Sequence, residues 1–199
     1  MAIDPRIGSC TRITGETKAN VTWNLDGNGV TQIATGVGFL DHMLDLLCHH
    51  GLFDLTVDVQ GDLHVDAHHT VEDTGLALGA ALREALADRR GIVRMGHAVV
   101  PMDEALALVA VDLSGRPYTV LDIPLSGPML GTLPAEMVTH FFQSLANEAR
   151  CNLHARVLAG ANDHHKVEAV FKGLGRALHA ATRRDPARGD RIPSTKGVL

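Results

Sequence analysis

The residues with the clearest chemical potential are two short strings, His68-His69-Thr70-Val71-Glu72 and His164-His165-Lys166-Val167-Glu168, set 96 residues apart. Imidazole nitrogen and carboxylate oxygen are ligands for divalent transition-metal ions. At the start of a helix, residues three apart share a face, so His69 and Glu72 can grip one ion together. His68 is turned by about 100° from its neighbour, because an α-helix has about 3.6 residues per turn. It points elsewhere and should serve a second ion. His165 with Glu168, and a diverging His164, repeat the arrangement. One such string alone is weak, since a histidine at a helix start is commonly a solvated or capping residue. Two in matching settings need a common explanation.

The settings do match. A lone histidine on an apolar-periodic stretch precedes each string: His42 by 26 positions and His140 by 24. Symmetry then suggests two ions. One takes His69 and Glu72 plus His164; the other takes His165 and Glu168 plus His68. His42 and His140 add one ligand to each, so three imidazoles and one carboxylate hold every ion. Spacing leaves open which lone histidine goes with which ion. The two strings must face each other, within one chain or across an interface. A nitrogen and oxygen set without sulfur suits Mn, Fe, Co, Ni or Zn and does not choose among them. Imidazole binds only when neutral, so binding should weaken in acid. His49, His50, His64, His97, His154 and His179 have no partner in the repeat and read as structural.

The elements that must position these side chains are themselves duplicated. Leu76–Leu82 parallels Phe171–Leu178, and Glu16 and Glu104 each stand 11 residues before a glycine, Gly27 and Gly115. The join falls near Arg89-Arg90-Gly91, a charged turn. Apolar residues three and four apart predict helices over Asp41–His49, His68–Ala87, Pro134–Ala149 and His164–Thr182. Val21–Leu25, Leu52–Val59, Ala107–Leu113 and Leu153–Leu158 read as strands. Each half is then a β-β-α-β-β-α-like unit. The expected class is α+β: mostly antiparallel four-stranded sheets with helices on one face, a two-layer sandwich duplicated about a pseudo-two-fold axis. Residues 1–90 make the first half, 91–190 the second and 191–199 a C-terminal tail, in one compact enzyme domain.

Composition narrows the function classes. A net charge of −5 argues against a broad nucleic-acid surface, while leaving room for local basic clusters that bind a small anion. No run of about 18 apolar residues is present to span a membrane. The opening Met-Ala-Ile-Asp-Pro-Arg lacks the apolar stretch of a signal peptide. Cys10, Cys48 and Cys151 have no paired spacing, as expected of free thiols in a reducing cytoplasm.

Longer motifs carry a family resemblance. Phe39-Leu40-Asp41-His42-Met43-Leu44-Asp45, with Asp66-Ala67-His68-His69-Thr70 and Glu72-Asp73, resembles the first signature of imidazoleglycerol-phosphate dehydratase. Asn162-Asp163-His164-His165-Lys166, with Glu168-Ala169 and Phe171-Lys172, resembles the second. Pro193-Ser194-Thr195-Lys196-Gly197 is similar to the family's terminal segment. The resemblance implies a dehydratase of histidine biosynthesis that converts imidazole glycerol phosphate to imidazole acetol phosphate with two Mn²⁺ ions. It implies a duplicated α+β fold, trimers that build a 24-subunit shell, and active sites between subunits. It also assigns ligands: His42, His69, Glu72 and His164 to one ion, and His68, His140, His165 and Glu168 to the other. Arg94, Arg116, Ser194, Thr195 and Lys196 fall on phosphate-binding positions, where guanidinium groups suit phosphate oxygens. Taken alone, each arginine reads as a solvated surface residue and the tail as a disordered terminus. Glu16 and Lys172 fall on further active-site positions. Alone, Lys172 reads as a helix ion pair with Glu168, four residues earlier.

The implied reaction is demanding, because the carbon-bound proton to be lost has no adjacent carbonyl. Cations bound to the substrate's imidazole favour its deprotonated form, which can expel the hydroxyl on the carbon attached to the ring. The neighbouring C–H then becomes acidic enough for a carboxylate, expected to be Glu16, to remove. Two other functions share part of the pattern. A binuclear metal phosphoester hydrolase would need an open coordination position for water. A histidine-rich metal buffer or sensor would not need Arg94, Arg116 or Lys196.

Overall fold

The computed structural model describes residues 5–199; Met-Ala-Ile-Asp, where the sequence predicts no leader, lies outside the described residues. The first half contains β1 (Ile7–Ile13), β2 (Thr17–Asn24), β3 (Thr31–Ala34), α1 (Gly38–Gly51), β4 (Asp54–Gly61) and α2 (His68–Leu86). The second contains β5 (Met95–Met102), β6 (Ala105–Asp112), β7 (Tyr118–Asp122), a small hairpin of β8 (Met129–Leu130) and β9 (Leu133–Pro134), α3 (Glu136–Ala149), β10 (Asn152–Ala159) and α4 (Asp163–Thr182).

The sheets are ordered β1-β2-β4-β3 and β5-β6-β10-β7, the same topology twice. In each, two pairings are antiparallel and the edge pairing, β3 with β4 or β7 with β10, is parallel. The fold is therefore the duplicated α+β arrangement that the repeat implies. One detail differs from the sequence-based expectation: apart from the β8–β9 hairpin inserted in the second half, each unit runs β-β-β-α-β-α, with three sheet strands before its first helix. After β4 only Asp62–Ala67 remain before α2, too few for a strand and its turns. The fourth strand is instead β3, joined to its parallel neighbour by the α1 crossover.

All four predicted helices form, within three residues of the expected ends. Among the strands missed, β1 has no apolar rhythm. The inward side chains of β1 are Gly8, Cys10 and Arg12. By contrast β2 turns Ala19, Val21 and Trp23 inward and shows plain alternation.

Helix α2 covers β1 and β2, and α4 covers β5 and β6. On the side away from the sheets the helices pack across the halves, α1 on α4 and α2 on α3. The four helices thus lie between two sheets whose outer faces meet solvent. Trp23 and Phe53 meet edge to face at 5.7 Å, and Phe141, Phe142 and Phe171 fill the α3–α4 contact with centroids 4.7–5.5 Å apart. Burying each of these rings contributes roughly 1.5–3 kcal/mol. Close crossing needs glycine at matched places. A Cβ on Gly79 would stand 2.5 Å from the Leu145 carbonyl oxygen, and one on Gly175 2.2 Å from that of Leu47. The helices that carry the histidines are held together there, backbone to backbone.

Candidate metal centre

These helix crossings gather the histidines into two clusters. Where α1 meets α4, His42, His164 and Glu168 bring ligand atoms within 4.8 Å of one another. Where α2 meets α3, His68, Glu72 and His140 do the same. The clusters are equivalent under the repeat. In the first, Glu168 Oε2 lies 3.1 Å from His164 Nε2 and 3.9 Å from His42 Nε2. In the second, Glu72 Oε2 lies 3.9 Å from His68 Nε2, and Oε1 is 3.5 Å from His140 Nε2.

The pairing of carboxylate with histidine differs from the helix-face expectation. Within one chain, each glutamate sits with the first histidine of its string, four residues back, rather than with the second, three residues back. Both spacings share a helix face, so spacing alone could not choose. The second histidines are drawn aside by other carboxylates: His69 Nδ1 is 3.0 Å from Asp62 Oδ2, and His165 Nδ1 is 2.7 Å from Glu104 Oε2. Among the described residues, neither His69 nor His165 belongs to a three-ligand cluster.

The donor set fits a divalent cation. It consists of imidazole nitrogen and carboxylate oxygen, and His140 Nε2 is buried without a hydrogen-bond partner. A buried ring nitrogen left without a partner is costly, and a cation bound there would remove that cost. Burial pushes the Glu168 carboxyl up, but Lys172 and His164 beside it more than offset this and keep it below its ordinary value. Glu168 is therefore ionised near neutral pH, as a ligand must be. Glu104 is held at about 2 by the backbone N–H of Asn162 and by His165. Its other oxygen accepts from the N–H groups of Ala161 and Asn162, at 3.1 and 2.7 Å, just ahead of α4. Hydrogen bonds to Asp62 and Glu104 raise the proton affinity of His69 and His165. Sequence reasoning gave neither acid a part in the site. Glu104 did stand out as the repeat counterpart of Glu16; nothing in the local sequence marked Asp62.

Glu16 occupies the exposed β1–β2 turn, with its backbone N–H on Thr14 Oγ1 at 3.2 Å, and contributes to the raised proton affinity of His69. Lys172 Nζ lies 2.6 Å from Glu168 Oε1 and 3.4 Å from Met102 Sδ. The helix ion pair is thus present and lies on the edge of the α1–α4 cluster.

The expected phosphate residues gather elsewhere. Arg94, at φ +81, directs Nε and Nη2 to the two Asp112 oxygens at 2.7 and 3.0 Å, and Nη1 to the Pro193 carbonyl at 2.8 Å. That last bond docks the tail bearing Ser194, Thr195 and Lys196. Ser194 Oγ accepts the Lys196 N–H at 3.2 Å. Arg116 follows β6, with Nη1 3.3 Å from the Ser114 carbonyl. This group sits at the C-terminal end of α4, where the Arg94 N–H binds the Ala181 carbonyl. His165 is in the first turn of the same helix. At about 1.5 Å per residue the two ends stand about 24 Å apart. One chain alone does not bring its arginine group to the histidine cluster at the start of α4.

Comparison with known proteins adds an independent line. The family model for imidazoleglycerol-phosphate dehydratase matches residues 35–178. The chain is 59% identical to imidazoleglycerol-phosphate dehydratase of Roseiflexus sp. (strain RS-1), over 100% of both chains. It is 59% identical to that of Chloroflexus aggregans, over 98% of this chain and 96% of the relative. Its fold is similar to the crystal structure of the Staphylococcus aureus enzyme, with TM-score 0.81, 38% identity and coverage of 90% and 99%. It is also similar to that of Pyrococcus furiosus in complex with (S)-C348, with TM-score 0.82, 38% identity and coverage of 96% and 100%.

Proposed function

The chain belongs to the imidazoleglycerol-phosphate dehydratase family and is a hydro-lyase, and from that premise we propose that it dehydrates imidazole glycerol phosphate to imidazole acetol phosphate at a site holding two divalent metal ions, Mn²⁺ by preference. The observation that carries the proposal is the pair of repeat-related His/Glu clusters. His42 and His164 would hold one ion with His69 and Glu72. His68 and His140 would hold the other with His165 and Glu168. Each cluster in one chain has three ligands, and Glu168 and Glu72 lie with the opposite histidine pair from the one this division gives them. Completing both ions therefore calls on a second chain. The distance between the arginine group and the histidines supports the same conclusion, because one small substrate must reach both. The active unit is then a homo-oligomer, for which 24 subunits built from trimers is the proposed form. The proposed location is the cytoplasm; among the described residues no helix is long and apolar enough to cross a membrane.

Bound at this centre, divalent cations would favour the deprotonated form of the substrate's imidazole ring. The chain's residues do the rest. Arg94, Arg116, Ser194, Thr195 and Lys196 hold the phosphate and fix the substrate's length along the site. Glu16, exposed and free of side-chain partners among the described residues, takes the carbon-bound proton next to the departing hydroxyl. Lys172 keeps Glu168 ionised. The deciding experiment is an assay for imidazole acetol phosphate with added Mn²⁺ against a chelated control. Product in the first and none in the second is expected; equal turnover in both would refute metal dependence. His69→Ala or His165→Ala should each remove one ion and abolish dehydration, as elemental analysis and the same assay would register.

A further inference from the structure

The two halves solve one problem from different places. Glu104 lies in the β5–β6 turn, and Glu16 in the β1–β2 turn is its counterpart, 88 residues earlier. The same offset relates Gly8 in β1 to Gly96 in β5, so the correspondence is structural as well as sequential. Glu104 binds the second histidine of its pair, His165, at 2.7 Å. Glu16 does not bind His69. That bond is made by Asp62, the residue after β4, at 3.0 Å. Its counterpart after β10 is Gly160, which has no side chain to offer.

We infer that Asp62 and Glu104 are positioning residues, each accepting Nδ1–H from the second histidine of its string so that Nε2 faces the metal, and that Asp62 thereby leaves Glu16 free for the reaction. A carboxylate on one ring nitrogen fixes the tautomer and orientation of the other. The bond to His69 is the hydrogen bond that the Asp62 side chain makes to another residue, and its Oδ1 is buried without a partner. An acid placed merely to cap a turn would use its oxygens on nearby backbone N–H groups. Glu104 does both: it binds His165 and also the N–H groups ahead of α4. For that reason Asp62 gives the cleaner test. The Nε2 of His165 has Asp103 Oδ2 at 3.7 Å, beyond hydrogen-bond range, so it remains available.

This inference rests on His69 and His165 being metal ligands, and the experiment separates the two claims. Mn²⁺ is titrated calorimetrically into the assembled wild-type protein and into Asp62→Ala, Asp62→Asn, Glu104→Gln and Glu16→Gln. Thermal melting of each variant monitors folding. A wild-type protein that takes up no metal would refute the metal reading before any variant is compared. Given wild-type uptake, Asp62→Ala should weaken one of the two ions by about 10- to 100-fold and spare the other. Asp62→Asn should recover part of the loss, because its amide oxygen can still accept Nδ1–H. Glu104→Gln should weaken the other ion, and Glu16→Gln neither. Unchanged affinity in Asp62→Ala, equal weakening of both ions, or a loss in Glu16→Gln matching that of Asp62→Ala would each overturn the assignment.

Discussion

Glu16 and Glu104 show how far residue identity depends on surroundings. They occupy equivalent turns, yet Glu104 is locked among two backbone N–H groups and an imidazole while Glu16 stays exposed. A carboxylate that must accept a carbon-bound proton needs that freedom. Glu16→Gln should lower turnover by about 10²–10⁴-fold, the usual contribution of a positioned base, with metal content measured by elemental analysis unchanged. Asp54, far from the chemistry, illustrates a purely structural acid. The backbone N–H groups of Asn28 and Val30 at 2.8 and 3.0 Å, with Asn24 at 3.2 Å, hold its carboxyl below the usual range. Because its folded value is depressed, its stabilisation is complete above the unfolded value of about 4 and fades as pH falls below it. Urea denaturation from neutral pH down to about pH 3 should show this loss, and Asp54→Ala should flatten that part of the profile at a cost of about 1–3 kcal/mol.

Among the elements, the helix crossings matter most to the site. His42 reaches His164 and Glu168 because α1 and α4 touch at Gly175, and His68 reaches His140 across the equivalent α2–α3 contact near Gly79. A Gly175→Ala substitution sets two effects against each other. Alanine favours the helix by about 1 kcal/mol. Its methyl would meet the Leu47 carbonyl at 2.2 Å, a backbone atom that cannot yield without moving α1. Overpacking of this kind costs about 1–3 kcal/mol, so the net effect is neutral to destabilising. The sharper expectation is functional. Displacing α1 carries His42 away, so metal content should fall more than the denaturation midpoint does; a variant with full metal content would show that the crossing does not set the ligand distance.

At the scale of the whole molecule, the chain gathers one His/Glu cluster at the start of α4, its counterpart where α2 meets α3, and the arginine group at the far end of α4. In the proposed reading a single chain is a set of half-sites. If a second chain completes each site, removing the metals takes bonds from the interface as well as from the reaction. Size-exclusion chromatography or sedimentation with and without chelator should show smaller or less stable assemblies when the ions are stripped, and recovery when Mn²⁺ returns. An assembly indifferent to chelator would mean that other contacts hold the subunits and that the ions serve chemistry alone.

Much of this was legible in the chain itself. Helix periodicity and the doubled His-His-x-x-Glu string gave all four helices and the identity of the cluster residues, because amphipathic spacing and ligand chemistry are local properties. How those residues cluster within one chain was not legible. Residues three and four apart lie on the same helix face, and only packing of α1 on α4 and α2 on α3 decides which carboxylate meets which imidazole. The flanking strands and Asp62 escaped notice for a related reason. The inward face of β1 is built from Gly8, Cys10 and Arg12 rather than alternating apolar residues, and Asp62 acquires its role only because β4 ends beside the first turn of α2. Local sequence determines what a side chain can do; the long-range packing of backbone on backbone decides what it meets.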